Sequence, residues 1–165
     1  MGHQEHKAKA PLSVGCMVIT ISDTRTPATD ESGRLIQKRL QEHGHPIAAY
    51  HLVKNEPVLI KDLIQKAPAG VQAIILTGGT GLSKRDSTYE TLLGLFEKKL
   101  DGFGELFRAL SYDEIGAPAM LSRAAAGIYQ GKVIFSLPGS EPAVRLALDK
   151  LILPELGHIL HELTR

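Results

Sequence analysis

The stretch Leu76-Thr77-Gly78-Gly79-Thr80-Gly81 places three glycines within four residues, directly after an apolar run at 73–76. The apolar run predicts a buried strand. Glycines let the backbone turn tightly and bring its N–H groups close to a ligand. The stretch therefore predicts an anion-binding loop at the carboxyl end of a strand. A glycine turn without a ligand has the same spacing, so this alternative stays open.

The residues after this loop predict a helix start and supply a carboxylate. Ser-Thr-Tyr-Glu at 87–90 fits the capping-box pattern, in which side chains satisfy the first free N–H groups of a helix. Asp86 stands directly before it. A carboxylate is unusual in a pure phosphate site, so Asp86 indicates a divalent cation or a polar ring system in the same pocket.

Strand and helix patterns alternate through the first half of the chain. The predicted strands are 14–22, 47–53 and 72–77. The predicted helices are 30–44 and 88–95, together with a helix between them that Asn55 caps and that has Pro57 in its first turn. This order predicts an α/β fold with a mostly parallel sheet and helices on both faces. The strand at 47–53 is more polar and is expected near an edge of the sheet.

The second half of the chain departs from this alternation. Four helical patterns follow: the first covers 102–112, the second begins near Pro118, the third runs from 138 to 148 and the fourth begins near Pro154. Residues 126–130 and 132–137 flank Gly131 and predict two strands joined by a tight turn. One strand of the sheet is therefore expected to run antiparallel to the others.

Length and composition favour one globular domain at 13–165 that follows a disordered tail at 1–12. The chain has 165 residues, a formal net charge of +1 and no tryptophan, which disfavours nucleic acid and membrane surfaces as partners. No apolar run reaches the length of about 20 residues that spans a membrane. The amino-terminal residues lack the apolar core of a signal peptide, so a cytoplasmic protein is expected. The single cysteine, Cys16, lies in an apolar strand and is expected in the core.

Other predicted loops open at the same edge, because the carboxyl ends of parallel strands meet there. Ser22-Asp23-Thr24 closes the first strand and either binds polar ligand groups or forms a turn. Asn55-Glu56 closes the second, where Glu56 is either a metal ligand or an acid favoured at a helix start. Ser136-Leu137-Pro138-Gly139-Ser140 leads into a helix, with Ser140 as either an anion-binding residue or a plain cap.

Several common catalytic motifs are absent from the sequence. Gly81 is followed by Leu-Ser rather than Lys-Ser or Lys-Thr, which disfavours the phosphate-binding loop of ordinary nucleotide hydrolases. There is no Gly-x-Ser-x-Gly nucleophile elbow. The seven histidines show no spacing typical of a zinc site.

Together these motifs resemble the MoaB/MogA family of molybdenum cofactor biosynthesis proteins, from about residue 14 to residue 163. The most specific pieces are residues 77–81 with Asp86 and the stretch Asp101-Gly102-Phe103-Gly104-Glu105, supported by Ser122-Arg123 and residues 137–140. Residues 103–116 look like the MoaB branch. The resemblance implies a three-layer α/β/α fold, a homotrimer or homohexamer, and a pocket for molybdopterin, a phosphorylated pterin dithiolene.

The reaction that the resemblance implies is adenylyl transfer from Mg-ATP to the molybdopterin phosphate, before a molybdenum-insertion protein acts. Asp86, Asn55 and Glu56 are the implied catalytic residues, with Asp86 and Glu56 as Mg²⁺ ligands. The residues implied to bind pterin and nucleotide are Ser22, Asp23, Thr77, Gly78, Gly79, Thr80, Gly81, Ser136, Pro138, Gly139 and Ser140. Phosphoryl chemistry depends on positioning and charge neutralisation, which is consistent with the lack of a nucleophile–base pair.

One position departs from the family pattern. Family members often carry an aspartate where this chain has Asn55, and that aspartate is held to act with the acid equivalent to Asp86. An amide can cap a helix but adds no negative charge. Either Glu56 compensates, or the chain is a non-catalytic pterin-binding or scaffolding protein. A nucleotide hydrolase domain of the CinA type is a third hypothesis.

A stripe of apolar residues on the predicted helix at 102–112 bears on assembly. Phe103, Leu106, Phe107 and Leu110 exceed what one face of a small sheet needs. The stripe, together with the resemblance, predicts a symmetric homo-oligomer, although an ordinary core stripe has the same pattern.

Overall fold

The computed structural model describes Gly2, Gln4, Glu5, Ala10 and residues 13–165. The tail predicted at 1–12 therefore lies mostly outside the described residues. The strands are β1 (Cys16–Ile21), β2 (Ile47–Val53), β3 (Ala73–Thr77), β4 (Lys98–Lys99), β5 (Ala125–Tyr129) and β6 (Lys132–Leu137). The helices are α1 (Glu31–Glu42), α2 (Pro57–Gln65), α3 (Thr88–Leu95), α4 (Asp101–Ile115), α5 (Glu141–Ala147) and α6 (Leu153–Leu163), with a 3-10 helix at Ala117–Leu121 and a π-helical turn at Leu148–Ile152.

The strands form one mixed sheet in the order β2-β1-β3-β6-β5-β4. β2, β1, β3 and β6 are parallel, whereas β5 is antiparallel to both of its neighbours, β6 and β4. The predicted α/β fold with one antiparallel strand is therefore confirmed, as is the position of β2 at an edge. The hairpin between β5 and β6 turns through Gln130 and Gly131, which have φ of 46° and 73°.

The parallel strands end level with one another. Ile21 pairs with Val53, and Thr77 pairs with both Thr20 and Leu137. The loops that follow β1, β2, β3 and β6 therefore leave the sheet at a single edge, as predicted. This edge positions the candidate site.

Helices cover both faces of the sheet and produce the expected three-layer α/β/α arrangement. Cys16 and Val18 of β1 face the larger core, which α1, α4, α5 and α6 complete. Met17 and Ile19 face the smaller core, which α2 and α3 complete. This alternation is the period of two expected for a strand buried on both sides. Burial raises the pKa of the Cys16 thiol to about 12, which leaves it unreactive.

One predicted helix cap is wrong, and a second occupies the predicted position without the predicted side-chain bond. α2 begins at Pro57 with Glu56, rather than Asn55, in the cap position, and the Glu56 side chain makes no capping hydrogen bond. Ser87 precedes α3, but its hydroxyl donates to Asn55 Oδ1 at 3.3 Å instead of capping the helix. Glu90, the other member of the predicted capping box, forms an ion pair with Arg123. Long-range contacts at the site thus replace the local bonds of the box at α3.

The apolar stripe predicted at 102–112 is divided between core and solvent in the structure. Phe103 and Phe107 are buried, with the Phe103 ring 5.2 Å from that of Phe135. Leu106 is exposed, and Leu110 is partly buried against the larger core. Further exposed apolar side chains lie on the end of α4 and the 3-10 helix, here called the 112–121 segment: Tyr112, Ile115, Met120 and Leu121.

No helix within the described residues is both long enough and apolar enough to cross a membrane.

Candidate functional site

The glycine loop, residues 77–81, makes its sharp turn with backbone conformations that side chains disfavour. The φ angle is 96° at Gly78 and 68° at Gly79. A Cβ at Gly78 would lie 2.2 Å from the Ile21 carbonyl oxygen, and a Cβ at Gly79 would lie 2.2 Å from Thr88 Oγ1. The loop is therefore packed between the end of β1 and the start of α3, and both positions require glycine.

Hydrogen bonds join the glycine loop to the loop after β6. The Thr77 hydroxyl donates to the Pro138 carbonyl at 2.8 Å, and the Gly78 N–H donates to the Leu137 carbonyl at 3.0 Å. From the other side, the Ser32 hydroxyl of α1 donates to the Gly139 carbonyl at 2.8 Å. The glycine loop and the loop after β6, which the sequence predicts as separate binding loops, thus form one wall of the site.

Asn55 and Asp86 form a hydrogen-bonded pair beside the glycine loop. Asn55 Nδ2 donates to Asp86 Oδ1 at 3.3 Å, and Asn55 is only 8% exposed. Its Oδ1 accepts the Ser87 N–H at 3.3 Å, while the Ser83 hydroxyl donates to Asp86 Oδ2 at 2.6 Å. A Cβ at Gly81 would lie 2.7 Å from Asp86 Oδ2, so the carboxylate faces the glycine loop. The amide therefore orients the carboxylate and ties the β2 loop to α3.

Asp23 lies next to this pair, with its charge balanced by Arg85. Arg85 donates to the Asp23 carboxylate through Nε at 3.1 Å and through a terminal nitrogen at 3.0 Å. The Asn55 N–H donates to the same carboxylate at 3.0 Å. The Arg85 bonds, followed by the Asn55 bond, hold the pKa of Asp23 below its ordinary value. Asp23 therefore stays ionised and positions both Arg85 and the β2 loop.

Arg123 stabilises the end of the glycine loop at Thr80 and Gly81, a structural role that could not be predicted from the sequence. Its Nε donates to the Thr80 carbonyl at 2.9 Å, and a terminal nitrogen donates to the Gly81 carbonyl at 2.6 Å. The guanidinium also pairs with Glu90 and lies 5.0 Å above the Tyr89 ring. The Glu90 carboxylate, held by Arg123, has a lowered pKa. Arg123 thus connects the loop to the first turn of α3.

Two cavities flank the glycine loop. The first, called the arginine cavity, has a volume of about 300 Å³ and is lined by Tyr89, Lys99, Arg108, Ser122 and Arg123, among others. The second, called the threonine cavity, has a volume of about 290 Å³ and is lined by Thr20, Ser22, Asp30, Ser32 and Thr77, with Gly78 and Gly139. The first therefore presents three cationic groups and the carboxylate of Asp101, and the second presents hydroxyls, the buried acid Asp30 and the guanidinium of Arg25.

The remaining predicted site residues differ in accessibility. The Ser22 hydroxyl accepts the N–H groups of Thr24 and Arg25 at 3.2 and 3.0 Å, so the turn alternative is the observed one there. Ser140 is exposed and precedes α5 without capping it through its side chain. Ser136 is fully buried, on the opposite face of the sheet from Thr77, which disfavours direct contact with a ligand.

The predicted metal ligands do not form a closed metal site. Within the described residues, no three side chains of the acid, histidine or cysteine type converge as they would around a metal ion. Glu56 is exposed at the start of α2, where its charge helps to raise the pKa of Arg85. Mg²⁺ is commonly held by one or two carboxylates together with substrate phosphates. Asp86 and Glu56 thus remain predicted ligands that the structure does not bring into one cluster with a third acid, histidine or cysteine among the described residues.

Comparison with known proteins gives a consistent result over nearly the whole chain. A family model described as "Probable molybdopterin binding domain" matches residues 17–158. Molybdenum cofactor biosynthesis protein B of Bacillus subtilis is 51% identical, with 100% of this chain and 99% of that protein covered. Its counterpart from Halalkalibacterium halodurans is 48% identical at the same coverage. The crystal structure of the tungsten cofactor synthesizing protein MoaB from Pyrococcus furiosus matches with a TM-score of 0.86 and 38% identity, covering 94% of this chain and 100% of that one.

Proposed function

Because the chain belongs to the MoaB/MogA family of molybdenum cofactor biosynthesis proteins, we propose that it binds molybdopterin and adenylylates it with Mg-ATP. One observation carries the proposal: Asp86 faces the glycine loop while Asn55 and Ser83 hold its carboxylate in place. A fixed carboxylate beside a glycine-rich loop is suited to binding a metal–phosphate group.

The difference in charge between the two cavities supports placing ATP in the arginine cavity and the ring of molybdopterin in the threonine cavity. Lys99, Arg108 and Arg123 line the arginine cavity, which suits the polyphosphate of ATP. The threonine cavity combines hydroxyl groups with one acid, Asp30, and one base, Arg25, so it lacks an excess of positive charge and suits a polar heterocyclic ring. The glycine loop separates them, so the phosphates of both substrates are expected to meet at its backbone.

The proposed reaction is an in-line displacement at phosphorus. A phosphate oxygen of molybdopterin attacks the α-phosphorus of ATP and forms a new P–O bond. The bond from that phosphorus to the β-phosphate oxygen breaks, and pyrophosphate leaves. Mg²⁺ bound with ATP supplies charge neutralisation at the phosphates. Asp86 would hold that ion, Asn55 orients Asp86, and Arg123 keeps the loop backbone in position.

A second candidate function is non-catalytic pterin binding, and Asn55 is the observation that favours it. The buried amide donates to Asp86 where family members often supply a second carboxylate. The site therefore has one negative charge fewer for holding Mg²⁺. Glu56 is exposed at the end of the same loop and is the side chain placed to compensate.

Substitution of Asp86 distinguishes the two candidates. Asp86→Asn should lower pyrophosphate release in the presence of molybdopterin and Mg-ATP by about 10²–10³-fold, as expected for loss of one preorganised electrostatic group. Asp62→Asn is the matched control, because Asp62 lies on the exposed surface of α2 and forms an ion pair with Lys66 at the end of that helix. If Asp86→Asn and Asp62→Asn release pyrophosphate at the parent rate, Asp86 has no role in transfer.

A further inference from the structure

The three cations that line the arginine cavity differ in how many of their donors the protein already uses. Arg123 is committed to the protein: its Nε and Nη2 donate to the glycine loop, and its Nη1 donates to Glu90. The Glu90 carboxylate also balances its charge. Arg123 therefore stabilises the loop backbone, and its guanidinium offers little to a ligand.

Arg108, on α4, lines the same cavity with part of its guanidinium unused among the described residues. Within them it forms no ion pair, and its hydrogen bonds all come from Nη1, which donates to the carbonyl oxygens of Ser122 at 3.4 Å and Ala124 at 3.0 Å. Its Nε and Nη2 form the edge of the guanidinium that can donate to two oxygens of one phosphate or carboxylate. A partly buried cation with such an edge favours an anion as its partner.

Gly104 leaves room for this guanidinium near the start of α4. It is buried, and a Cβ there would lie 2.6 Å from Arg108 Nη2, 3.1 Å from Arg108 Nη1 and 2.8 Å from the Ala124 carbonyl oxygen. A side chain at this position would displace the guanidinium from both the carbonyl and the cavity. Glycine is disfavoured inside helices, so its presence here is explained by the placement of Arg108.

The other charged groups of the cavity indicate a phosphate that carries a cation. Lys99 and Asp101 both line the cavity and are exposed, and neither forms an ion pair among the described residues. Lys99 adds to the attraction for an anion, whereas the Asp101 carboxylate repels a bare one. A polyphosphate with bound Mg²⁺ meets both requirements, because the metal offsets part of its charge.

We propose that Arg108 binds the terminal phosphates of Mg-ATP, and the pyrophosphate that they become, through its Nε–Nη2 edge. The proposal rests on the proposed function, since it assigns the leaving-group end of that reaction to the arginine cavity. When the bond between the α-phosphorus and the bridging oxygen breaks, its electron pair stays with pyrophosphate. A fixed guanidinium stabilises the negative charge that develops there. Nucleotides without these phosphates should not depend on Arg108.

Isothermal titration of the full chain with three ligands tests this assignment: Mg-pyrophosphate, Mg-ATP and AMP. Arg108→Gln should weaken binding of Mg-pyrophosphate and Mg-ATP by about 10–100-fold, because a pair of charge-assisted hydrogen bonds is lost. AMP affinity should stay within about twofold of the parent, since AMP has only the α-phosphate. Arg165→Gln is the matched control and should bind all three ligands as the parent does, because Arg165 is exposed beyond the end of α6 and pairs with Glu162.

A second variant separates charge from hydrogen-bond geometry. Arg108→Lys retains the positive charge but lacks the planar fork, so its affinity for Mg-pyrophosphate should lie between those of the parent and Arg108→Gln. If Arg108 served only to hold Ser122 and Ala124, Arg108→Gln would lower the thermal midpoint and weaken AMP and pyrophosphate binding alike. If Arg108→Gln does not fold, unchanged pyrophosphate affinity in Arg108→Lys counts equally against the proposal.

Three results would overturn the proposal: equal Mg-pyrophosphate affinity in the parent and Arg108→Gln, no Mg-pyrophosphate binding by the parent, or an equal loss of affinity for AMP and pyrophosphate in Arg108→Gln. Adenylyl transfer measured on the same proteins separates this inference from the proposed function. Transfer by the parent, with unchanged pyrophosphate binding in Arg108→Gln, removes only the Arg108 assignment. Pyrophosphate binding that depends on Arg108, without transfer, removes only the reaction.

Discussion

The contact between Asn55 and Asp86 determines how the candidate site responds to substitution. In the structure Asn55 donates to one carboxylate oxygen of Asp86 and accepts from Ser87. It does not cap α2, where Glu56 takes the cap position. Replacement of Asn55 by aspartate would therefore leave α2 unchanged but place two carboxylates against each other. Like charges at this distance destabilise a fold unless a cation or a proton neutralises them.

Asn55→Asp should therefore make stability depend on Mg²⁺. Without Mg²⁺ we expect the free energy of unfolding to fall by about 1–3 kcal/mol, because a buried hydrogen bond becomes a repulsion. With Mg²⁺ at about ten times its Kd, about 1.4 kcal/mol should be recovered. Mg-ATP-dependent transfer should increase at the same time. Urea unfolding with EDTA and with Mg²⁺ measures the effect, and the parent should show little difference between the two conditions.

An Asn55→Asp variant whose stability is the same in EDTA and in Mg²⁺ would contradict this account of the pair. Glu56→Gln is the companion variant. If it abolishes transfer while Asn55→Asp changes nothing, Glu56 rather than position 55 holds the metal. If neither change affects transfer, the β2 loop lies outside the reaction centre.

Among the connecting segments, the turn between α1 and β2 is expected to make stability dependent on pH. His45, in this turn, is 7% exposed, and its Nδ1 accepts the Val14 N–H at 3.0 Å. Burial, followed by the charge of His43, lowers the pKa of His45. The folded protein therefore holds a neutral imidazole, whereas the unfolded chain takes up a proton near the ordinary pKa of about 6.5. Stability is expected to fall as pH drops below about 6.5, until the lowered folded-state pKa is reached.

His45→Asn should remove this part of the pH dependence, because its amide oxygen can accept the Val14 N–H and does not titrate. The free energy of unfolding, measured by urea between about pH 7.5 and about pH 5.5, should decline in the parent and stay flat in the variant. Parallel curves for the two proteins would show that His45 is not responsible.

Elements formed by contacts between residues close together in the sequence could be predicted from it, whereas features formed by contacts between distant residues could not. β2 and α3 agree with the structure to the residue, because apolar periodicity and flanking turn residues are local signals. β4 was missed, since its two residues, Lys98 and Lys99, gain strand geometry only by pairing with β5. The capping box at 87–90 failed because Asn55 and Arg123 compete for its side chains.

The same reasoning explains which parts of the candidate site were predicted. Asp86 and the glycine loop follow from residue type and order along the chain. The hydrogen bonds of Arg123 to Thr80 and Gly81 join residues more than forty positions apart, so no local pattern predicts them.

For the whole molecule, we expect the 112–121 segment to mediate self-association. Ile115 is 57% exposed and Leu121 is 56% exposed at the end of α4 and in the 3-10 helix. Exposed apolar side chains that lie close together are typical of an interface between chains. Ile115→Lys and Leu121→Lys should shift the protein from trimer or hexamer toward monomer in light scattering at micromolar concentration.

Val58→Lys is the control for this prediction. Val58 is 77% exposed on α2, on the other side of the sheet from α4, so its replacement should leave the assembly unchanged. A parent protein that is monomeric at micromolar concentration would contradict the prediction. Unchanged assembly in Ile115→Lys and Leu121→Lys would place the interface elsewhere.

We propose above that this chain transfers an adenylyl group to molybdopterin. Mass spectrometry of the pterin species, after incubation of the full chain with molybdopterin and Mg-ATP, tests it most directly. We expect adenylylated molybdopterin and one pyrophosphate per product, with both formed about 10²–10³-fold more slowly by Asp86→Asn. Molybdopterin recovered unmodified from a parent protein that binds it would contradict the claim and identify the chain as a pterin-binding protein without transferase activity.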